Sequence, residues 1–146
     1  MIYTDMTKKA MKFMFEHQKE QYDKSGIPYV FHPFTVAYEL TNENECTIAL
    51  LHDVIEDTNV TFEDLKKEGF PDIVIDTLKL LTHEEGIDYF EYIDKISKNK
   101  LARNVKIQDL KHNMQEGRLN KITDKDIERK EKYIKALNIL EGVNYE

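Results

Sequence analysis

The stretch Cys46-Thr47-Ile48-Ala49-Leu50-Leu51-His52-Asp53-Val54-Ile55-Glu56-Asp57 decides how this chain is read. On a helix advancing about 100° per residue with His52 at zero, Glu56 falls at about 40°, Asp53 at about 100° and Asp57 at about 140°. Ile48, Leu51, Val54 and Ile55 gather between about 200° and about 320°. The predicted helix therefore has one apolar face and one face carrying an imidazole and three carboxylates. Between Ile48 and Asp57 only the small Ala49 interrupts the polar arc. Carboxylates this close repel unless solvent or a cation lies between them, and imidazole nitrogen with carboxylate oxygen is a good donor set for a divalent first-row ion. A solvated acidic face is the plainer reading of any single His-Asp pair. Here residues 47–51 are almost wholly apolar, so the helix is expected to be buried, and buried charges must be paired or coordinate something.

Outward from this stretch the periodicity stays helical. Apolar residues recur at three- and four-residue steps over 6–22, 33–40, 46–55, 73–81, 89–96, 101–114 and 127–140. Breaks fall at Lys24-Ser25-Gly26-Ile27-Pro28, at Gly69-Phe70-Pro71-Asp72 and at Gly86. Thr61 with Asp64, and Thr123 with Asp126, have the spacing of helix N-caps. No sustained two-residue alternation, internal repeat or low-complexity tract interrupts the pattern; Tyr29-Val30-Phe31 reads as the approach to a helix. The expectation is an all-α fold, a single domain over residues 1–146 built as a bundle of about seven or eight helices. Phe13, Leu40, Leu51, Val54, Leu81, Ile93, Val105 and Leu137 are the predicted core.

Composition narrows the function classes. The 146 residues are 40% apolar and 34% charged, with 28 acidic against 21 basic side chains and a net charge of −7. A nucleic-acid polymer, whose affinity comes from clustered cationic charge, is therefore not an expected partner. A small phosphorylated ligand held by a metal and a few local cations is compatible with the charge. The single Cys46 cannot form an internal disulfide, residues 1–9 lack an apolar signal stretch, and no window suits a membrane span. A cytoplasmic protein with no membrane partner is expected, and its oligomeric state stays open.

A metal would need ligands from other segments. His32 opens a helix in Tyr29-Val30-Phe31-His32-Pro33, where alone it reads equally as a packed histidine. Asp109 lies in Val105-Lys106-Ile107-Gln108-Asp109, on one helical face with Lys106 and Asn113, where alone it reads as a surface carboxylate paired with Lys106. His17 and His112 read as structural, and the charge runs 95–100 and 121–132 as solvated helix faces.

Taken together, His32, His52-Asp53 and Asp109 resemble the H…HD…D signature of the HD-domain metal-dependent phosphohydrolases. The chain is similar, more narrowly, to the small relatives of the (p)ppGpp hydrolase domain of the RelA/SpoT proteins. Lys24-Ser25-Gly26, Tyr29, His32-Pro33, the His52-to-Thr58 string and Asp109 with His112-Asn113-Met114 carry that likeness over nearly the whole chain. The resemblance implies a helical bundle with one divalent metal, typically manganese, held by His32, His52, Asp53 and Asp109. It implies a catalytic pair, Glu56 and Asp57, beside the attacking water, Glu56 being the preferred base. Lys24, Ser25, Lys106 and Asn113 match substrate-contacting positions, with Arg103 and Arg118 as further cationic candidates.

Three departures bear on specificity. Asp23 stands where the family commonly has a base-stacking arginine, Leu110 replaces an arginine after the metal-binding aspartate, and Leu81-Thr82-His83 replaces Val-Thr-Lys. The leading expectation is a 3′-pyrophosphohydrolase for guanosine 3′,5′-bis(diphosphate) without synthetase activity. A hydrolase for another nucleotide or dinucleotide phosphate, and a non-catalytic metal- or nucleotide-binding regulatory module, remain open alternatives.

Overall fold

A computed structural model describes residues 1–115 and 122–142. The helices in chain order are α1 (Asp5–Gln18), α2 (Phe31–Tyr38), α3 (Glu43–Leu51), α4 (Val54–Asp57), α5 (Phe62–Lys67), α6 (Asp72–Leu81), α7 (Tyr89–Ser97), α8 (Lys100–Asn113) and α9 (Asp124–Gly142). Among the described residues there is no strand, only one bridge pairing Tyr22 with Pro28. The all-helical expectation holds, with nine helical segments among the described residues once single turns such as α4 are counted. No helix among the described residues is long and apolar enough to cross a membrane.

The starts of the helices follow local chemistry. Thr4 and Thr7 form a reciprocal cap on α1, and Thr61 and Asp64 form the expected one on α5. Asn42 and Asn99 cap α3 and α8 through the amides of Glu45 and Ala102. Thr123 and Asp126 exchange the same bonds at the head of α9.

Helix α3 sits at the centre, packed against α1, α2, α6 and α8. All of residues 45–51 are buried. The one-sided wheel predicted for 46–55 is therefore wrong for its first half: α3 is apolar or satisfied all round, as a fully enclosed helix must be. Its one charged buried member, Glu45, is satisfied by the Asn104 side-chain amide of α8 at 3.0 Å. Two other boundaries also differ from expectation. The helix predicted over 6–22 ends at Gln18, because residues 19–22 turn so that Tyr22 can pair with Pro28. Of the predicted core, Phe13 and Leu137 only line its edge, while Met14, Ala136 and Leu140 on the same helices take the enclosed positions.

Leu50 is fully enclosed in the last turn of α3. Leu50→Ala is expected to cost about 3 kcal/mol of stability, read as a lowered urea midpoint at unchanged m-value. A loss below about 1 kcal/mol would mean that α3 is not the packing centre.

Candidate metal centre

The site begins where α3 stops. His52 ends that helix with a weak 3.5 Å bond from its amide to the Ala49 carbonyl, and Asp53 follows at φ −101°, ψ −6° before α4 restarts at Val54. The predicted continuous helix over 46–55 is broken at the two residues that carry the chemistry. The His52 Nδ1–H takes up the exposed Ala49 carbonyl at 2.5 Å, which fixes the tautomer and leaves Nε2 pointing outward. The carbonyl end of α3 also places partial negative charge beside the site, favouring a cation.

Three other elements converge on that nitrogen. Asp109 from α8 puts Oδ1 3.3 Å from His52 Nε2 and 2.8 Å from His32 Nε2 of α2. Asp53 Oδ2 lies 3.1 Å from His52 Nε2 and 3.7 Å from His32 Nε2. His32, His52 and Asp109 each offer a ligand atom within 4.8 Å of the others, and all three are buried. All four residues expected as ligands are thus brought together, two imidazole nitrogens facing two carboxylate oxygens. This donor set fits a divalent ion.

Burial works to lower the His52 pKa, but the carboxylates of Asp53 and Asp109 outweigh it and hold it well above the usual histidine range. Asp109 resists the opposing effect of burial through Lys106 and His52, and its pKa lies well below the ordinary carboxylate value. The site therefore attracts positive charge at neutral pH. Outer contacts hold the donors in place. Lys106 Nζ donates to Asp109 Oδ2 at 2.9 Å and the Asn113 side-chain amide to Oδ1 at 3.1 Å. The Tyr29 hydroxyl donates to Asp53 Oδ2 at 2.6 Å, and burial beside that carboxylate raises its pKa and keeps it protonated. His112, read from sequence as structural, stacks on His32 with ring centres 4.9 Å apart and shares a proton between the two Nδ1 atoms at 2.6 Å. With that proton on His32, its Nε2 presents a lone pair to the centre.

Against the donors lies a cavity of about 30 Å³ lined by His52, Asp53, Glu56, Tyr92, Lys106 and Asp109. That is room for one or two water molecules. Glu56 Oε1 accepts the His83 amide at 2.8 Å, so its carboxylate is held at the cavity wall. Asp57 follows Glu56 at the exposed end of α4. Burial of its carboxyl and the charges of Asp53 and Glu56 push its pKa up to about 6.

A second depression, about 390 Å³, is lined by Lys24, Ser25, Tyr29, Asn113, Arg129 and Tyr133 among others. Asn113 and Tyr29 connect it to the donors through Asp109 and Asp53. Lys24 and Arg129 share the Asp126 carboxylate, at 3.4 and 3.2 Å. Arg129 and Tyr133 were hidden in a mixed-charge helix pattern. Asp23, which stands in place of the family's arginine, lines this depression and accepts the amides of Ser25 and Ile27 on one oxygen at 2.9 and 3.0 Å, which shapes the loop that carries Lys24. Lys106 is enclosed and committed to Asp109 rather than exposed to the groove. Arg103 is committed elsewhere too, its guanidinium donating to the Ser97 carbonyl at 2.7 Å. Arg118 lies outside the described residues.

Two outcomes follow from this geometry. His112→Ala is expected to weaken divalent-ion binding by roughly tenfold to a hundredfold in a calorimetric titration, and His112→Asn to recover most of that loss. In chelator-treated protein, Asp57 holds its proton more tightly folded than unfolded, so its stabilising contribution is complete below the ordinary 3.8 and lost as pH rises through about 6. Discounted for its exposure, the penalty at pH 7 is about 1 kcal/mol; Asp57→Asn should raise Tm by about 2–4 °C there and by nothing below about pH 4.

No protein-family model matches the chain. The guanosine-3′,5′-bis(diphosphate) 3′-pyrophosphohydrolase MESH1 of Drosophila melanogaster is 31% identical over 89% of this chain and 81% of its own length. The MESH1 of Danio rerio is 43% identical over 35% of this chain and 32% of its own. The corresponding enzyme of Aquifex aeolicus is 39% identical over 44% of this chain, a match spanning only 10% of that longer protein. In three dimensions the chain superimposes on a metazoan ortholog of SpoT that hydrolyses ppGpp with a TM-score of 0.79 over 98% of this chain and 89% of the other, at 24% identity. The shared fold and the near-full-length match put the RelA/SpoT-like, HD-type resemblance of the sequence on firm ground: the chain belongs to the MESH1 family of guanosine-3′,5′-bis(diphosphate) 3′-pyrophosphohydrolases, which are hydrolases of the metal-dependent HD type.

Proposed function

We propose that residues 1–146 form one HD domain that removes pyrophosphate from the 3′ position of guanosine 3′,5′-bis(diphosphate), with Mn²⁺ held by His32, His52, Asp53 and Asp109. The observation that carries this reading is the meeting of those four donors beside a water-sized cavity, in a chain 31% identical to a MESH1 enzyme. A divalent ion at such a centre acidifies a water and neutralises charge on the transferring phosphoryl group.

The chain's own residues supply the rest. Glu56, at the cavity wall, accepts the proton of the attacking water as its oxygen approaches the phosphorus next to the ribose 3′ oxygen. The bond broken joins that phosphorus to the 3′ oxygen, which leaves and takes up a proton. Asp57, next to Glu56 on α4, orients the water network. Lys106 keeps Asp109 ionised and adds positive charge beside the reacting phosphate. In the groove, Lys24, Ser25, Asn113 and Arg129 surround the nucleotide, and the Tyr133 ring offers a stacking surface for its base. Asp23 shapes the loop that carries Lys24 through one oxygen and lines the groove beside it.

Purified protein incubated with Mn²⁺ and guanosine 3′,5′-bis(diphosphate) is expected to release GDP and pyrophosphate in equal amounts. Glu56→Gln should lower kcat by at least about a hundredfold while the variant still binds the ion. Turnover of GTP or GDP in preference to the 3′-substituted nucleotide would overturn the substrate; binding without any product would leave a regulatory module instead.

A further inference from the structure

Glu56 is carried on α4, a helix of four residues, too short to hold its own shape. What fixes its carboxylate is a contact from another element, the amide of His83 at 2.8 Å. Any residue could supply an amide, so the question is what holds that amide still. Residues 83–86 are exposed and Gly86 adopts φ +86°, a turn with little packing of its own.

The His83 ring supplies the anchor. It stacks on Tyr92 with centres 4.5 Å apart and planes 19° from parallel, and its Nε2–H donates to the Ile87 carbonyl at 2.7 Å, closing the turn on itself. Tyr92 is buried on α7, and its hydroxyl donates to the Leu81 carbonyl at 2.5 Å, immediately before the turn. The same ring lies 5.4 Å from Lys106 Nζ, the ammonium that holds Asp109. One aromatic plate thus touches both sides of the water-sized cavity, the Asp109 side through Lys106 and the Glu56 side through His83.

We propose that His83, stacked on Tyr92, is the positioning residue that sets Glu56 against the cavity and couples it to the Lys106–Asp109 pair. It touches neither substrate nor metal and acts through its own backbone amide. A lysine at this position, as the family commonly has, could neither stack flat on Tyr92 nor place a ring N–H on the Ile87 carbonyl. The inference rests on the role given above to Glu56.

The test uses the full chain with His83→Leu, which keeps bulk without a ring, and His83→Phe, which keeps the stack. His83→Leu is expected to lose roughly tenfold to a hundredfold in kcat, with KM and Mn²⁺ affinity within about twofold of the parent. His83→Phe should recover to within about threefold. Independently of substrate, amide 83 should exchange with solvent roughly tenfold faster in His83→Leu, and in Glu56→Ala, than in the parent protein. Equal impairment of the Phe and Leu variants would show that the stack is not the device. A rise in KM with a parallel fall in ion affinity and Tm would reduce His83 to a structural residue and overturn the proposal, as would unchanged exchange at amide 83 in His83→Leu. Parent protein inert toward guanosine 3′,5′-bis(diphosphate) sinks the functional reading alone, since the exchange comparison stands without substrate.

Discussion

The carboxylate of Asp109 is the point on which the rest of the site depends. It is nearly enclosed, and a carboxylate moved from water into such a place is tolerated only when its lone pairs are filled and its charge is answered. Here two imidazoles share one oxygen, an ammonium takes the other, and a side-chain amide completes the set. Each partner comes from a different turn of chain: His32 from α2, His52 from the end of α3, Lys106 and Asn113 from either side of Asp109 on α8. Removing Asp109 would leave Lys106 a buried, uncompensated cation and two imidazoles facing only Asp53. The centre and the packing of α2, α3 and α8 against one another are therefore one construction.

That construction explains why α3 must be broken. A continuous helix through 46–57 would carry His52, Asp53, Glu56 and Asp57 around one arc, as the wheel has it. The break lets the His52 ring fold back on the Ala49 carbonyl while α4 restarts with Glu56 at the cavity wall. An imidazole held by a backbone carbonyl on one nitrogen has the other free for coordination, and only one tautomer meets both demands. The apolar walls of α3 then keep solvent from competing for that nitrogen.

What was legible in the sequence is what periodicity and residue type can express. The helices, the His52-Asp53 pair, the distant His32 and Asp109, and the Thr-based caps could be read because each is a local pattern or a family signature. The break between α3 and α4 was not, because nothing in the residue types at 52 and 53 forbids a helix; the carbonyl that His52 captures is a tertiary outcome. His112 was misread for a related reason. Its place three residues after Asp109 is ordinary for a solvated helix, and its role exists only because α2 brings His32 alongside. Arg129 and Tyr133 were masked by neighbouring Lys and Glu residues that do face solvent. The two loop amides that one Asp23 oxygen satisfies are a turn contact that residue type alone does not show.

Asp23 and Asp126 also clarify how an acidic chain can handle an anionic ligand. The net charge of −7 is a sum over the whole surface, while binding is decided by the charges within a Debye length, about 8 Å at physiological salt. Inside the groove, Asp23 spends its charge on loop amides and Asp126 sits between Lys24 and Arg129, cancelling their mutual repulsion and fixing both cations before any ligand arrives. A phosphate entering there competes with one carboxylate for two cations, and Arg129 in particular can turn its planar fork from one acceptor to the other without leaving the groove. Pre-ordering of this kind lowers the entropy lost on binding at the expense of some raw attraction. For an enzyme that must release a doubly phosphorylated product after each turnover, moderate attraction is the better arrangement, because a groove of unpaired cations would retain the product as readily as the substrate.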